Sequence, residues 1–325
     1  MKALREEIKN QSFQRVYLLH GEEHYLRNYY RDLLCNAVVP AEDTMNRTVY
    51  EENRFTEGEA VDQAETVPFF AERRLLVFMR TGLFKKPSEL LADYLKEIPD
   101  YAVLVFVEDE IDKRSKLYKA VQKNGRVIEF GIQDEKALST WILKMITAAG
   151  LKITSADMHY FISRVGTDMY TLRLEADKLV QYLAGREIVT REDIEAVTTD
   201  RTENRIFDMI AAVTAGNRSL ALRLYNDLIE QKETPVGILA LMERQYHQLL
   251  LMREMLDEGV SSQTFAGKIG MHPYAVKKNL GIVRAGSAEK FRQAFRLCVQ
   301  TEEDIKSGRV NDRIGIELAI VQLLK

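Results

Sequence analysis

The chain reads as an α/β domain followed by helices to its end. Two observations predict this. Up to Gly131, short apolar runs rich in β-formers alternate with helical stretches, the pattern of a parallel sheet with crossover helices. Beyond Gly131 such runs cease, and apolar residues recur at helical spacing.

The β-type runs lie at 16–19, 48–50, 75–78, 103–107 and 127–130. Several carry apolar residues at successive positions, as strands covered on both faces do, whereas a half-exposed strand alternates. A doubly wound sheet follows. In the helical part, Leu138, Trp141, Ile142 and Met145 share one face, and Met158, Phe161, Ile162 and Val165 share another. Leu172, Ala176, Leu179 and Leu183 give a third helix closed by Gly185, and Thr190 is placed to cap a short fourth bearing Ile194 and Val197. This four-helix unit ends near Thr199. The polar stretch 198–204 reads as a linker or long turn.

The last third is predicted to be a helical bundle. Ile206, Met209, Ile210 and Val213 run to Gly216, and Leu220, Leu224 and Leu228 follow. Thr234 and Pro235 start a long helix through Ile238, Leu241, Met242, Leu249 and Met252 to Gly259. Phe291, Ala294, Phe295 and Cys298 mark a further helix, and Ile316, Ala319, Ile320 and Leu323 the final one. The domain boundaries expected are therefore 1–132, 133–200 and 201–325.

Composition narrows the function. A length of 325 residues suits two or three domains, and 46% hydrophobic with 29% charged residues is ordinary for globular proteins. A net charge of −3 excludes nucleic-acid binding by overall positive charge, though a local basic face stays open. Cys35 and Cys298 stand far apart with no CxxC neighbour, which fits buried thiols in a reducing cytoplasm and no disulfide framework. The first residues lack the apolar core of a signal peptide, and no run is long enough for a membrane span. A cytoplasmic protein with no membrane partner is expected.

Open α/β sheets bind ligands at the carboxyl ends of their strands, so the turn after the first run is the place to seek a nucleotide site. Aligned from Gly21 on the phosphate-binding GxxxxGK[ST] loop, Leu26 takes the second glycine, Arg27 the lysine and Asn28 the hydroxyl residue. Leu26 puts a side chain where backbone must approach phosphate, and Glu22 and Glu23 add repulsion. No nucleotide is expected there. Leu104, Val105, Phe106, Val107, Glu108 and Asp109 resemble a Walker B strand, but without a phosphate loop its acids are read as solvated. His20, His24, His159, His247 and His272 form no metal-ligand pattern, and no nucleophile elbow or catalytic cysteine signature occurs. Catalytic residues, metal and cofactor are all expected to be none.

Two stretches carry binding potential instead. Val67, Pro68, Phe69 and Phe70, followed by Ala71 to Arg74, set adjacent aromatics between a helix and the third run. Either Phe70 packs under the sheet with Phe69 partly covered, or the pair forms an exposed plug for a partner's pocket. The second stretch, 261–280, is superficially a helix-turn-helix: Phe265 and Ile269, a turn at Gly270, then a helix from Pro273 with Lys277 and Lys278. A pair of bundle helices with a solvated basic edge is the plainer reading, because no arginine or asparagine cluster for base reading stands on the second helix.

Taken together, these residues resemble the delta subunit of the bacterial DNA polymerase III clamp loader. The resemblance rests on the strand into Gly21, Glu22 and Glu23 before Tyr25 and Leu26, and on Pro68, Phe69 and Phe70 before Arg74 and Leu75. It extends through Leu174, Glu175, Ala176, Asp177, Lys178 and Leu179, then Asn204, Arg205, Ile206 and Phe207, and finally Met271, His272, Pro273, Tyr274, Ala275, Val276, Lys277 and Lys278. It implies an AAA+-like domain without a nucleotide site, a helical lid, and a C-terminal collar that assembles with the gamma/tau and delta prime subunits. It also implies that Phe69 and Phe70, beside Pro68, enter a pocket of the beta sliding clamp and favour ring opening, while other subunits use ATP and the complex acts on primed DNA. The glutamine-led motif of many clamp-binding peptides is absent. Lys277 and Lys278 are candidates for approaching DNA in the assembled complex. A helix-turn-helix DNA-binding regulator and a nucleotide-dependent enzyme with an unusual phosphate loop are the alternatives.

Overall fold

The computed structural model describes residues 1–52, 54–199 and 201–324. It divides into two compact units, Met1–Gln133 and Asp134–Lys325. The first contains α1 (Lys2–Asn10), β1 (Val16–His20), α2 (His24–Val38), β2 (Arg47–Glu51), α3 (Glu57–Glu65), β3 (Arg74–Met79), α4 (Glu89–Tyr94), β4 (Ala102–Glu108), α5 (Lys116–Asn124) and β5 (Arg126–Glu129). The five strands form one parallel sheet in the order β2-β3-β4-β1-β5. All five expected strands are present.

Two-sided burial explains the unbroken apolar runs of the inner strands β1, β3 and β4. Every residue of β1 and β4 is buried. On one face Val16, Leu18, Leu76, Phe78, Leu104 and Phe106 pack with Ala60 and Ala64 of α3, Leu91 of α4, and Leu117 and Val121 of α5. The alternate strand residues point to the other face, where α2 buries Leu26, Tyr30, Leu34 and Cys35. Phe106 stacks on Phe78 at 4.6 Å between ring centroids and meets Phe84 edge-on at 5.4 Å. The helix α1 goes beyond the sequence reading: Leu4 alone is fully buried from it.

The second unit holds α6 (Glu135–Ala148), α7 (Ser155–Val165), α8 (Met169–Tyr182), α9 (Arg191–Val197), α10 (Thr202–Thr214), α11 (Arg218–Glu230), α12 (Pro235–Asp257), α13 (Phe265–Ile269), α14 (Pro273–Ala285), α15 (Ala288–Lys306) and α16 (Asp312–Leu323). Side-chain oxygens set the starts. Asp134, Thr154, Asp168 and Thr190 each accept a backbone N–H of the first turn, and Thr190 completes a reciprocal capping box with Asp193. Thr234 caps α12, with Pro235 in its first turn. That helix buries residues on several sides, from Ile238 and Leu239 to Leu250 and Met252, against α10, α14, α15 and α16.

Three expectations change. The stretch 198–204 is only partly a linker: Asp200 lies outside the described residues, and α10 already begins at Thr202, so Glu203 and Asn204 are helical. Asn204 Nδ2 donates to the carbonyls of Ser163 and Arg164 at 2.7 and 3.1 Å, tying α10 to the end of α7. The buried stripe of α11 is Ala221, Tyr225 and Leu228, while Leu220 stays exposed, because the aromatic side chain claims the core. A parallel bridge, Lys152 to Ile188, also occurs beyond Gly131. Among the described residues no helix is long and apolar enough to cross a membrane.

Cys35 and Cys298 are both free and buried, and burial pushes each thiol up to about 12. Phe106→Ala should cost about 3–5 kcal/mol by opening a cavity at the centre of the ring stack. Urea denaturation of the variant checks this; a loss below about 1 kcal/mol would show that the stack collapses onto the gap.

Candidate functional site

The carboxyl end of the sheet is occupied by the protein itself. Gly21 adopts φ +121°, and a Cβ there would meet the Phe130 carbonyl oxygen at 2.4 Å. Two N–H groups of the turn are used by the chain: Glu23 N–H donates to Phe130 O at 2.9 Å, and Tyr25 N–H to the Glu23 carboxylate at 3.1 Å. Arg27, 4% exposed, donates through Nη1 to the carbonyls of Gly21 and Glu108 at 2.9 and 3.0 Å. Its Nη2 pairs with Asp109 at 2.5 Å and lies 3.0 Å from His24 Nδ1. A guanidinium thus stands where the GxxxxGK[ST] pattern has its lysine and ties the ends of β1 and β4 to α2. A cavity of about 510 Å³ remains beside it, lined by His24, Arg31, Arg80 and Asp109 among others.

Of the two acids read as solvated, Glu108 is not. It is 3% exposed and accepts from Thr81 N–H at 3.0 Å, Thr81 Oγ1 at 2.6 Å and Gly82 N–H at 3.2 Å. Burial pushes its carboxyl above the ordinary range, and the three donors offset part of that. The turn after β3, which places Arg80 at φ 52°, accounts for the burial by folding its donors over the acid. Among the described residues no His, Cys, Asp and Glu cluster could hold a metal; His20 is buried, and His24 opens α2 against Arg27.

The opposite end of the sheet carries the aromatic pair. All strands run in parallel, and the connection from α3 enters β3 at its amino end, a strand length of roughly 20 Å from the Gly21 turn. Phe69 is 56% and Phe70 96% exposed, their rings in T-shaped contact at 4.6 Å. Val67 is exposed as well, and Pro68 is partly buried. Of the two readings of the pair, burial of Phe70 under the sheet is excluded. Phe70 also sits at φ 50°, a left-handed conformation that costs a bulky side chain about 1–2 kcal/mol.

What holds that loop is Asn46, 1% exposed, immediately before β2. Its Oδ1 accepts from Phe69 N–H at 2.7 Å, and its Nδ2 donates to Phe69 O at 3.0 Å and to Asp43 Oδ2 at 2.7 Å. Its backbone is bound too: Asn46 N–H donates to Asp43 Oδ1 at 3.0 Å, and Leu75 N–H donates to Asn46 O at 2.8 Å. The bond from Asn46 holds the Asp43 carboxyl below its ordinary 3.8, so this pairing is complete at neutral pH and is lost only as acid titrates Asp43. At the far end of the loop, buried Arg74 reaches Gln63 Oε1 at 2.5 Å and Met45 O at 3.5 Å. The sequence reading missed Asn46, since nothing local joins it to residues 23 positions away.

Lys277 and Lys278 are engaged within the chain. Lys277 pairs with Glu135 at 2.8 Å, and Lys278 donates to Asn204 Oδ1 at 2.9 Å while lying 4.2 Å over the Phe207 ring. In the stretch read as a helix-turn-helix, α13 is five residues long, and α14 buries Val276, Asn279, Ile282 and Val283. Glu108→Ala should cost about 2–3 kcal/mol by stranding the donors of Thr81 and Gly82. A denaturation midpoint unchanged from the parent would show that water replaces the carboxylate.

The models of two families match in order: DNA polymerase III, delta subunit, over residues 17–131, and DNA polymerase III delta subunit, C-terminal domain, over 203–323. The chain is 26% identical over 322 residues to the DNA polymerase III subunit delta of Bacillus subtilis, covering 95% of this chain and 93% of the relative. It is 20% identical over 293 residues to the probable DNA polymerase III subunit delta of Aquifex aeolicus, covering 86% and 82%. The solved Bacillus subtilis DNA clamp loader delta protein superposes with a TM-score of 0.79 at 24% identity, over 99% of both chains. With both family models met along one chain, and with the sheet, the filled strand-end turn and the helical remainder described above, this chain belongs to the DNA polymerase III delta subunit family.

Proposed function

We propose that this chain is the clamp-gripping subunit of a bacterial clamp loader. It binds the beta sliding clamp through Phe69 and Phe70, with Pro68 shaping the loop, and favours the opened ring so that the loader can place it on primed DNA. The observation that carries this reading is the exposure of two adjacent aromatics on a loop whose backbone is fixed from a buried side chain. Solvent-facing aromatics are costly to keep unless a partner covers them, and a preorganised loop loses little entropy on docking.

The binding free energy is the work such a subunit contributes: a ligand shifts an equilibrium only by its differential affinity for the two states, here closed and open ring. In this reading the chain performs no catalysis of its own and needs no nucleotide, metal or cofactor. Arg27 and Glu108 support it, because each spends on the fold the groups a nucleotide site would need. Residues 1–132 form the clamp-binding AAA+-like domain, 133–200 the lid and 201–325 the collar that meets gamma/tau and delta prime subunits, in the cytoplasm. Lys278 is committed to Asn204 and Phe207, so of the two lysines Lys277 is the one free to turn toward a DNA phosphate when its pairing with Glu135 opens.

The test is binding of the purified chain to the sliding clamp of the same organism without ATP. Phe69→Ala/Phe70→Ala should weaken it on the order of 100-fold or more, with circular dichroism unchanged. Equal affinity of the double variant would remove these residues from the contact. ATP with magnesium should leave the thermal midpoint where it is; a rise of several degrees would mean that a nucleotide binds after all.

A further inference from the structure

Resting on the assignment of the aromatic pair to clamp binding, we propose that Asn46 is a positioning residue for that contact: through both ends of its side-chain amide it holds the loop in the shape that presents Phe69 and Phe70. Four observations carry this. Asn46 is buried although polar, and each of its polar groups, in the backbone and the side chain, has a partner. Its amide closes a two-point clasp on the backbone of Phe69, satisfying both the N–H and the carbonyl as a paired strand would. Phe70, the next residue, stands at φ 50° with nearly all its surface in water, so its own packing does not supply the force that keeps it there. The carboxylate of Asp43 in turn fixes the orientation of the amide, accepting from Nδ2 and leaving Oδ1 to face Phe69.

The clasp explains how an exposed pair stays ordered without a partner. Released from it, Phe70 would relax to negative φ and the two rings would part, so that the docking shape becomes a minor population. An apparent affinity falls by the fraction of molecules in the competent state, so a loop in that shape one time in ten binds about tenfold more weakly. Asn46 touches no clamp atom in this account.

Asn46→Ala should therefore raise the dissociation constant for the sliding clamp about tenfold, measured on the full chain without ATP. General destabilisation is separated by Phe106→Leu, a core change far from the loop, which should lower the unfolding midpoint yet leave the affinity of the folded chain as it was. A second readout needs no variant: in the unliganded wild-type chain the Phe69 amide should exchange with deuterium slowly, whereas the Phe70 amide next to it should exchange freely. Asn46→Ala with affinity within about twofold of wild type, or a Phe69 amide exchanging as fast as a free loop, would overturn the proposal. Unchanged binding by Phe69→Ala/Phe70→Ala would remove the clamp-binding role of the pair and this inference with it. Loss of binding by that double variant together with full binding by Asn46→Ala would remove only the role of Asn46.

Discussion

The inner strands of a parallel sheet, buried on both faces, have only their two ends to offer a ligand, and this constraint organises the middle of the first unit. Strands β1 and β4 expose nothing along their length. At the carboxyl end, where such sheets hold nucleotides, Arg27 spans the carbonyls of Gly21 and Glu108. At the amino end, the connection from α3 to β3 carries Phe69 and Phe70 into water.

The two ends show how a fold keeps residue types while changing their work. Arg27 is a cation near the carboxyl ends of the strands, as a phosphate-binding lysine would be, yet its partners are backbone carbonyls and Asp109. Glu108 is an acid at the end of β4, as a magnesium ligand would be, yet it receives three donors from Thr81 and Gly82. Burying them is tolerable because Arg27 is paired with Asp109 and Glu108 accepts hydrogen bonds from Thr81 and Gly82. The charges therefore brace the turns after β1 and β3.

Most of the architecture could be read from the chain because it is written in local periodicity. Short β-type runs, several of them unbroken apolar, marked the five strands, and Thr190 and Thr234 stood where caps were needed. The readings that failed depend on tertiary partners. Nothing near Glu108 announces that the turn at Thr81 will fold over it. The spacing of Leu220 and Leu224 suggested a stripe that Ala221 and Tyr225 in fact occupy, because helical period alone does not say which of two adjacent faces meets the core. The aromatic pair was visible but its exposure was not, since that depends on Asn46, distant in sequence and adjacent only through the pairing of β2 with β3.

The central claim is that Phe70 leaves water when the clamp is bound, and fluorescence tests it most directly. The chain has one tryptophan, Trp141, so a Trp141→Phe/Phe70→Trp variant reports from the loop alone. The account predicts red-shifted emission from the free chain. Adding the sliding clamp without ATP should shift it to the blue and protect it from acrylamide quenching. Emission and quenching that stay the same while the clamp is shown by sedimentation to be bound would contradict it, because the two proteins would then be meeting elsewhere.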